Sequence, residues 1–168
     1  MSTTSWNVAS PLAGMQQIED VSDTAKHKVG TIIRAIHPTY GAGEFVYLKG
    51  VASTVVGSVV TYNATDGTTS RVIPTTYIPQ PVAVAMAATG ASQYGWYQLS
   101  GQAIVAKAAT VCLVAGVAAS FLCTGRIAGA ANGSELRGAV VMATASAASG
   151  RTTVQVLIDR PYIQGRVT

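Results

Sequence analysis

The sequence predicts an all-β protein: a small β-barrel, or a β-tulip-like or sandwich domain, with an extended N-terminal arm. Three observations lead to this class. About ten short segments rich in β-branched residues recur at roughly the 8–12-residue spacing of barrels and sandwiches. Glycine or proline stands at nearly every junction between them, which indicates that turns set the register. No long stretch shows the apolar period of a helix.

The length of 168 residues favours one domain. A domain near this size buries roughly 70% of the surface that its unfolded chain exposes, so it needs no disulfide or metal to supply a core. We divide the chain into an N-terminal arm over residues 1–28 and a single β domain over residues 29–168. The arm carries three of the seven acidic residues and few β-branched ones. The alternative to an arm is a disordered tail.

Apolar residues of the arm are the candidate partner-binding residues, and they are Trp6, Leu12, Met15 and Ile18. An exposed tryptophan would leave a large apolar side chain in water. Trp6 therefore favours an arm that docks against another surface. The spacing of the other three allows one or two helical turns between residues 11 and 21, which Gly14 weakens. We expect the arm to reach a neighbouring subunit or another protein, and its deletion to weaken that binding while leaving the fold intact.

The β domain begins where β-branched residues become frequent. Its candidate strands cover residues 29–37, 44–49, 54–62, 69–73, 82–87, 94–100, 103–106, 110–114, 118–123, 137–145 and 152–158. Asp66–Gly67 and Asn132–Gly133 are turn signals, and Gly101 predicts a turn between the candidates on either side of it. Residues 82–87 alternate large and small side chains. Their alanine face would admit another sheet or chain, unless the strand is buried on both faces.

Charge is low and uneven along the chain. Charged residues make up 11%, against about 25% in a typical soluble domain, so much of the surface is poorly protected against association. Residues 1–70 carry a net charge of −1 and residues 71–168 a net charge of +5. The basic residues of the second part stand singly: Arg71, Lys107, Arg126, Arg137, Arg151, Arg160 and Arg166. An acidic partner surface is compatible with this pattern, whereas dedicated nucleic-acid binding is not expected.

Catalytic and metal-binding patterns are missing from the sequence. His27 lies between two lysines and His37 precedes Pro38, and neither has a carboxylate or cysteine nearby in a recognisable order. Gly41-Ala42-Gly43 is half of a dinucleotide fingerprint and opens no predicted helix. Cys112 and Cys123 lack the second Cys or His pair of a zinc site. We therefore expect no enzyme activity, no cofactor and no metal.

The surroundings of Cys112 and Cys123 are apolar, which favours two buried free thiols over a disulfide. The N-terminus lacks the basic and apolar regions of a signal peptide. Residues 108–124 are nearly uncharged and about as long as the shortest membrane span. Two short buried strands joined at Ala115–Gly116 explain them better, so we expect no membrane insertion.

Three aromatic residues cluster at Tyr94, Trp96 and Tyr97. Such a cluster is typical of a carbohydrate or base platform. A core tryptophan flanked by packing tyrosines would have the same sequence, and we favour that interpretation.

A pattern over residues 80–158 resembles the capsid decoration (cement) proteins of tailed bacteriophages. It consists of Pro81–Ala85, an alanine-rich loop, Tyr94–Gly101, Ala103–Val105, Ala108–Thr110, a turn at Gly116, Gly138–Ala145 and a closing Val154–Leu157. The resemblance covers roughly half the chain, and residues 1–80 match no family that we can name.

The resemblance implies a structural role on the outer surface of a virion. Such proteins bind the lattice of the major capsid protein, often as trimers, and clamp neighbouring capsomers against the pressure of the packaged DNA. Linked weak contacts raise avidity, so this role needs no single tight site. The alternative function is a glycan-binding head-fibre or adhesin module, which the aromatic cluster at residues 94–97 would serve.

Overall fold

The structure, a computed structural model, describes residues 5–10, 14–71, 79–122, 124–129, 135–146, 150 and 152–164. Over these residues the chain forms twelve strands and no helix, with 53% of the residues in strands. The predicted all-β class is confirmed. The strands are β1 (Asn7–Val8), β2 (Val21–Ser22), β3 (Ile32–His37), β4 (Gly41–Lys49), β5 (Val59–Tyr62), β6 (Thr69–Ser70), β7 (Val82–Ala85), β8 (Tyr94–Ala106), β9 (Ala118–Leu122), β10 (Arg126–Gly129), β11 (Glu135–Val141) and β12 (Thr153–Ile163).

The strands form one large antiparallel sheet that does not close on itself. Neighbours along its main path follow the order β1-β3-β4-β8-β12-β11-β9-β10. β2 pairs with β8, and β5 pairs with β6 and β7, the last of which also pairs with β8. A sandwich-like β domain, one of the predicted architectures, fits this arrangement.

β8 is the strand that joins the two halves of the sheet. Its first half pairs with β4 and its second half with β12. The change of partner falls near Gly101, whose φ of +99° favours glycine. A Cβ on Gly101 would also collide with the carbonyl oxygen of Ala42. The predicted turn at Gly101 is therefore wrong, because the glycine instead lets one strand run on from Tyr94 to Ala106.

Two apolar clusters meet at β5 and β7. Cluster 1 gathers side chains from β5 and from β7 to β12, and cluster 2 gathers side chains from β4, β5, β7 and β8. β7 contributes Val82 and Val84 to cluster 1 and Ala83 and Ala85 to cluster 2. The strand is thus buried on both faces. Of the two interpretations of residues 82–87, the strand buried on both faces is the one observed.

A third apolar cluster covers the other side of β4 and β8. Phe45, Tyr47 and Trp96 are at most 1% exposed. Trp6 and Ile18 complete the cluster from the N-terminal segment, by which we mean the described residues 5–10 and 14–28. β1 and β2, which belong to this segment, pair with β3 and β8. The predicted arm therefore packs on the sheet over its described residues.

Gln16 forms six hydrogen bonds, three of which join the N-terminal segment to β4 and β8. Its side-chain oxygen accepts from the hydroxyls of Ser22 (2.9 Å) and Tyr47 (2.8 Å). Its backbone carbonyl accepts from the indole N–H of Trp96 at 3.0 Å. Three further bonds run from its side-chain amide to the carbonyls of Asp20 and Tyr94 and from its backbone N–H to Nε2 of His27. Gln16 is only 3% exposed, so these bonds hold in a site with little competing water.

A buried lysine explains why residues 110–114, predicted as a strand, form none. Lys107 is fully buried, and its ammonium group donates to the carbonyl oxygens of Ala108 (3.1 Å) and Val111 (2.9 Å). Those carbonyls face the lysine rather than a neighbouring strand, and Leu113 keeps only an isolated bridge to Ala145. Lys107 adds nothing to the basic surface predicted for the second part of the chain.

The C-terminal strands also differ from the prediction. β10 was not predicted, although Gly125 supplies the tight turn that pairs it with β9. β12 continues five residues past its predicted end at Ile158, through Pro161. The register of the β11–β12 pairing shifts between Arg137 and Ala139. Pro161 also has no N–H to donate, so this part of the ladder is irregular. The predicted turn at Asn132–Gly133 lies outside the described residues.

Deletion of residues 1–28 is expected to lower stability, because it would uncover Phe45, Tyr47 and Trp96. This packing argues against our sequence-based expectation that the deletion leaves the fold intact. Loss of partner binding after the deletion would therefore not by itself identify a binding residue.

Gln16→Leu should destabilise the protein by about 2–4 kcal/mol, since it removes four side-chain hydrogen bonds and leaves buried carbonyls unpaired. The free energy of unfolding, from urea denaturation followed by tryptophan fluorescence, measures the effect. Gln17→Leu is the matched control, because Gln17 is adjacent and exposed. Equal stability of the two variants would contradict the role assigned to Gln16.

Candidate partner-binding surface

An exposed row of side chains crosses the middle of β11, β12 and β8. Val140 lies opposite Leu157 in the β11–β12 pairing, and Leu157 lies opposite Gln102 in the β12–β8 pairing. Directly opposed residues of an antiparallel pair project from the same face. Their strand neighbours, such as Ala139 and Ile158, belong to cluster 1. The row therefore lies on the outside of the layer that encloses this cluster.

A second row runs beside the first. The backbone N–H of Met142 donates to the carbonyl of Gln155 at 2.9 Å, and Gln155 lies opposite Ile104. The Gln155 amide donates to the side-chain oxygen of Gln102 at 2.7 Å, which ties the two rows together. We call the two rows the open face, and its six residues are Gln102, Ile104, Val140, Met142, Gln155 and Leu157.

The open face combines apolar exposure with an absence of charge among its six residues. Val140, Met142 and Leu157 are 46%, 42% and 47% exposed. The adjoining turn adds Val114 and Val117, which are also exposed, and the Val117 carbonyl accepts from the β11 backbone. An apolar patch bordered by polar groups, here the amides of Gln102 and Gln155 and the exposed Asp159, is typical of a surface that another protein covers. Chemically, the face can bury apolar area and form amide hydrogen bonds.

Sequence reasoning did not single out the open face, although a signal existed. Residues 139–142 are apolar at four successive positions, and β12 carries Leu157 between Val156 and Ile158. A strand with one wet face alternates apolar and polar residues, so an unbroken apolar run indicates that both faces are covered. One face meets cluster 1, and the other is exposed in the isolated chain.

Three of the four residues predicted to bind a partner lie elsewhere. Trp6 and Ile18 are 9% and 2% exposed inside the third cluster, and Met15 packs against it. Leu12 lies outside the described residues. The structure brings Trp6, Met15 and Ile18 together, but their apolar surface contacts this chain's own sheet. Partner binding by these residues stays a prediction.

The aromatic cluster at residues 94–97 offers no platform. Trp96 belongs to the third cluster and Tyr97 to cluster 2, so the two rings lie on opposite faces of β8 and are 1% and 0% exposed. Burial raises the pKa of the Tyr97 hydroxyl, which bonds to Thr89 at 3.1 Å. The interpretation as packing residues fits this geometry. Because Trp96 and Tyr97 are buried, the reason to expect a glycan site at Tyr94, Trp96 and Tyr97 no longer holds.

The candidate reactive groups have structural surroundings. Nε2 of His27 accepts from Gln16, and Nδ1 of His37 accepts from the backbone N–H groups of Thr39 (3.0 Å) and Tyr40 (3.3 Å). Cys112 is a free, exposed thiol, so its predicted burial is wrong. Its segment forms a surface turn instead of a buried strand. Cys123 lies outside the described residues.

The described residues lack two further kinds of feature. They contain no group of three or more His, Cys, Asp or Glu side chains arranged to hold a metal ion. They also contain no helix with the length and apolar character needed to cross a membrane.

A compact charged cluster links β3, β4 and β12. Glu44 bridges Arg34 and Arg160, each with a nitrogen–oxygen distance of 2.8 Å. The hydrogen bond from Arg34 is the main cause of a lowered pKa for the Glu44 carboxyl, and Arg160 adds to it. The backbone of Arg160 has a φ of +43°, unusual for a residue with a side chain. Glu44 thus neutralises part of the basic charge predicted for the second part of the chain.

Neither a known protein-family model nor a curated protein sequence matches this chain.

Glu44→Gln should lower the free energy of unfolding by about 1 kcal/mol or less at neutral pH, because exposed arginines contribute little each. A carboxyl with a lowered pKa in the folded state stabilises the fold above its unfolded pKa and loses that contribution as pH falls through the folded value. The difference between wild type and variant should therefore shrink below pH 4.5, the ordinary value for glutamate. Urea denaturation between neutral and acidic pH measures this.

Glu19→Gln is the control for this pH series, since it removes an exposed carboxylate on the N-terminal segment. A Glu44→Gln deficit that stays constant down to the most acidic pH tested would contradict the assigned ion pairs.

Proposed function

We propose that this chain is a structural virion protein that binds the outer capsid surface of a tailed bacteriophage and stabilises contacts between capsomers. The observation that carries the proposal is the open face, an exposed, uncharged and partly apolar part of the sheet. Its partner in this proposal is the major capsid protein. The active form is expected to be a homotrimer.

The segments that resemble decoration proteins also supply the open face. Val140 and Met142 come from residues 138–145, and Gln155 and Leu157 come from residues 154–157. A family whose function is to hold other proteins together would keep its contact residues in its characteristic segments. This coincidence supports the proposal beyond the resemblance of sequence alone.

The character of the face suits a clamp formed from many equivalent contacts. Three exposed apolar side chains and two amides make a modest interface in one subunit. Repetition over a trimer and over a capsid lattice multiplies such contacts, and linked weak contacts raise avidity by orders of magnitude. An uncharged interface also tolerates changes in salt concentration, because it has no ion pairs to screen.

Electron microscopy of virions of the phage that encodes the chain tests the location directly. Density for this fold should lie on the outer shell at three-fold or quasi-three-fold positions, with the open face toward the capsid protein. Absence of the chain from purified virions would refute the proposal. Light scattering after size exclusion should give the mass of three chains of 17.2 kDa.

Leu157→Glu should reduce capsid binding at least tenfold while leaving the fold intact, because it places a charge in an apolar contact and removes none of cluster 1. Co-sedimentation with capsids that lack the protein measures binding, and circular dichroism checks the fold.

Ile36→Glu is the matched control for Leu157→Glu. Ile36 is also an exposed strand residue, at 56%, but it lies on β3, away from the open face. If Ile36→Glu impairs capsid binding as much as Leu157→Glu, the open face is not the contact.

A further inference from the structure

A cavity of about 320 Å³ lies where the N-terminal segment meets β8. Its volume falls in the range of roughly 300–1,000 Å³ that is typical of ligand sites. The lining residues that matter here are three rings, two amides and a carboxylate: Trp6, His37, Tyr40, Gln98, Gln102 and Glu19. Ile104 also lines the cavity, so the cavity shares Gln102 and Ile104 with the open face of the proposed capsid role.

On one side of the cavity, aromatic rings pack against one another. The ring of His37 stacks on Tyr40 with centroids 4.5 Å apart and an interplanar angle of 29°. Trp6 lies 5.2 Å from His37 and packs edge-on against Phe45 at 4.7 Å. Trp6 and His37 are buried at 9% and 5% exposure, whereas Tyr40 is partly exposed. A ligand would therefore meet a fixed apolar wall with the tyrosine ring at its mouth.

The polar side is held in place by hydrogen bonds. The amide of Gln98, only 1% exposed, donates to the carbonyls of Ser100 (3.0 Å) and Gln102 (3.1 Å). The side-chain oxygen of Gln102 accepts from Gln155, and its amide nitrogen donates to no acceptor among the described residues. The Gln102 nitrogen can donate to a ligand, and the exposed carboxylate of Glu19 can accept from one.

We propose that this cavity binds a neutral carbohydrate. A sugar ring has an apolar face of C–H groups, which an aromatic wall accommodates, and an edge of hydroxyls that both donate and accept. Amide and carboxylate groups satisfy such hydroxyls. The described lining residues include no lysine or arginine, and their one carboxylate disfavours an anionic ligand. A purely apolar ligand would make no use of the Gln102 side-chain nitrogen or of the Glu19 carboxylate, both of which can bond to a hydroxyl.

The sugar site overlaps the open face at Gln102 and Ile104, but the other residues that line the cavity are not part of that face. It would provide a glycan-binding function of the kind that the sequence assigned to Tyr94, Trp96 and Tyr97, but with different residues. Either proposal can fail while the other holds, because the capsid test depends on Leu157 and the sugar test on Tyr40 and Glu19.

A glycan array of neutral and anionic oligosaccharides, probed with the labelled full chain, is the first experiment. Neutral glycans should bind and acidic glycans should bind less. The best neutral glycan is then titrated by calorimetry and by ¹H–¹⁵N NMR. Chemical shifts of Gln98 and Gln102 side-chain amides should change on saturation. An array without neutral binders, or a preference for acidic glycans, overturns the proposal.

Two pairs of variants test the site itself. Tyr40→Ala should weaken binding at least tenfold, whereas Tyr162→Ala, at a more exposed tyrosine on β12, should not. Glu19→Gln should weaken binding severalfold, whereas Asp20→Asn, at the adjacent exposed carboxylate, should not. If Tyr40→Ala unfolds, the Glu19 pair decides. Binding that both site variants leave unchanged would place the glycan elsewhere and refute this assignment.

Discussion

The fold depends on covering both faces of β4 and β8. These strands carry large side chains on each face. A second layer of protein is therefore needed on each side of them to bury those side chains. β5 and β7 supply the layer over cluster 2, and the N-terminal segment supplies the other through Trp6, Ile18 and the hydrogen bonds of Gln16. The segment is thus a constituent of the core. Where the sheet continues past this segment, on β11, β12 and the second half of β8, one face is left open.

Sequence reasoning predicted the all-β class and most strands, because β-branched alternation and turn residues are local signals. It failed where a contact with residues distant in the sequence determines the local structure. Glycine is common in turns, which is why a turn was predicted at Gly101. In the structure Gly101 lies where β8 changes its pairing partner from β4 to β12, and there it is part of one continuous strand. Lys107 looked like a surface charge, and only the carbonyls that it binds explain its burial.

The candidate surfaces were harder to predict than the fold for the same reason. Trp6 is an isolated tryptophan in sequence, and partner docking was a reasonable expectation for it until Phe45 was seen against it. The open face requires knowing that Val140, Leu157 and Gln102 are opposite one another, which strand order alone decides. The low charge content indicated that neutral surface would be exposed. It did not indicate which residues would form that surface.

The link between Gln16 and Trp96 also constrains how the protein is made. The two residues are 80 positions apart, so a ribosome releases the N-terminal segment long before it has synthesised the strand that receives it. During that interval Trp6, Met15 and Ile18 have no core to enter. The N-terminal segment therefore cannot complete its docking until β8 has been made, and a nascent chain would be most prone to misassociation before that strand emerges.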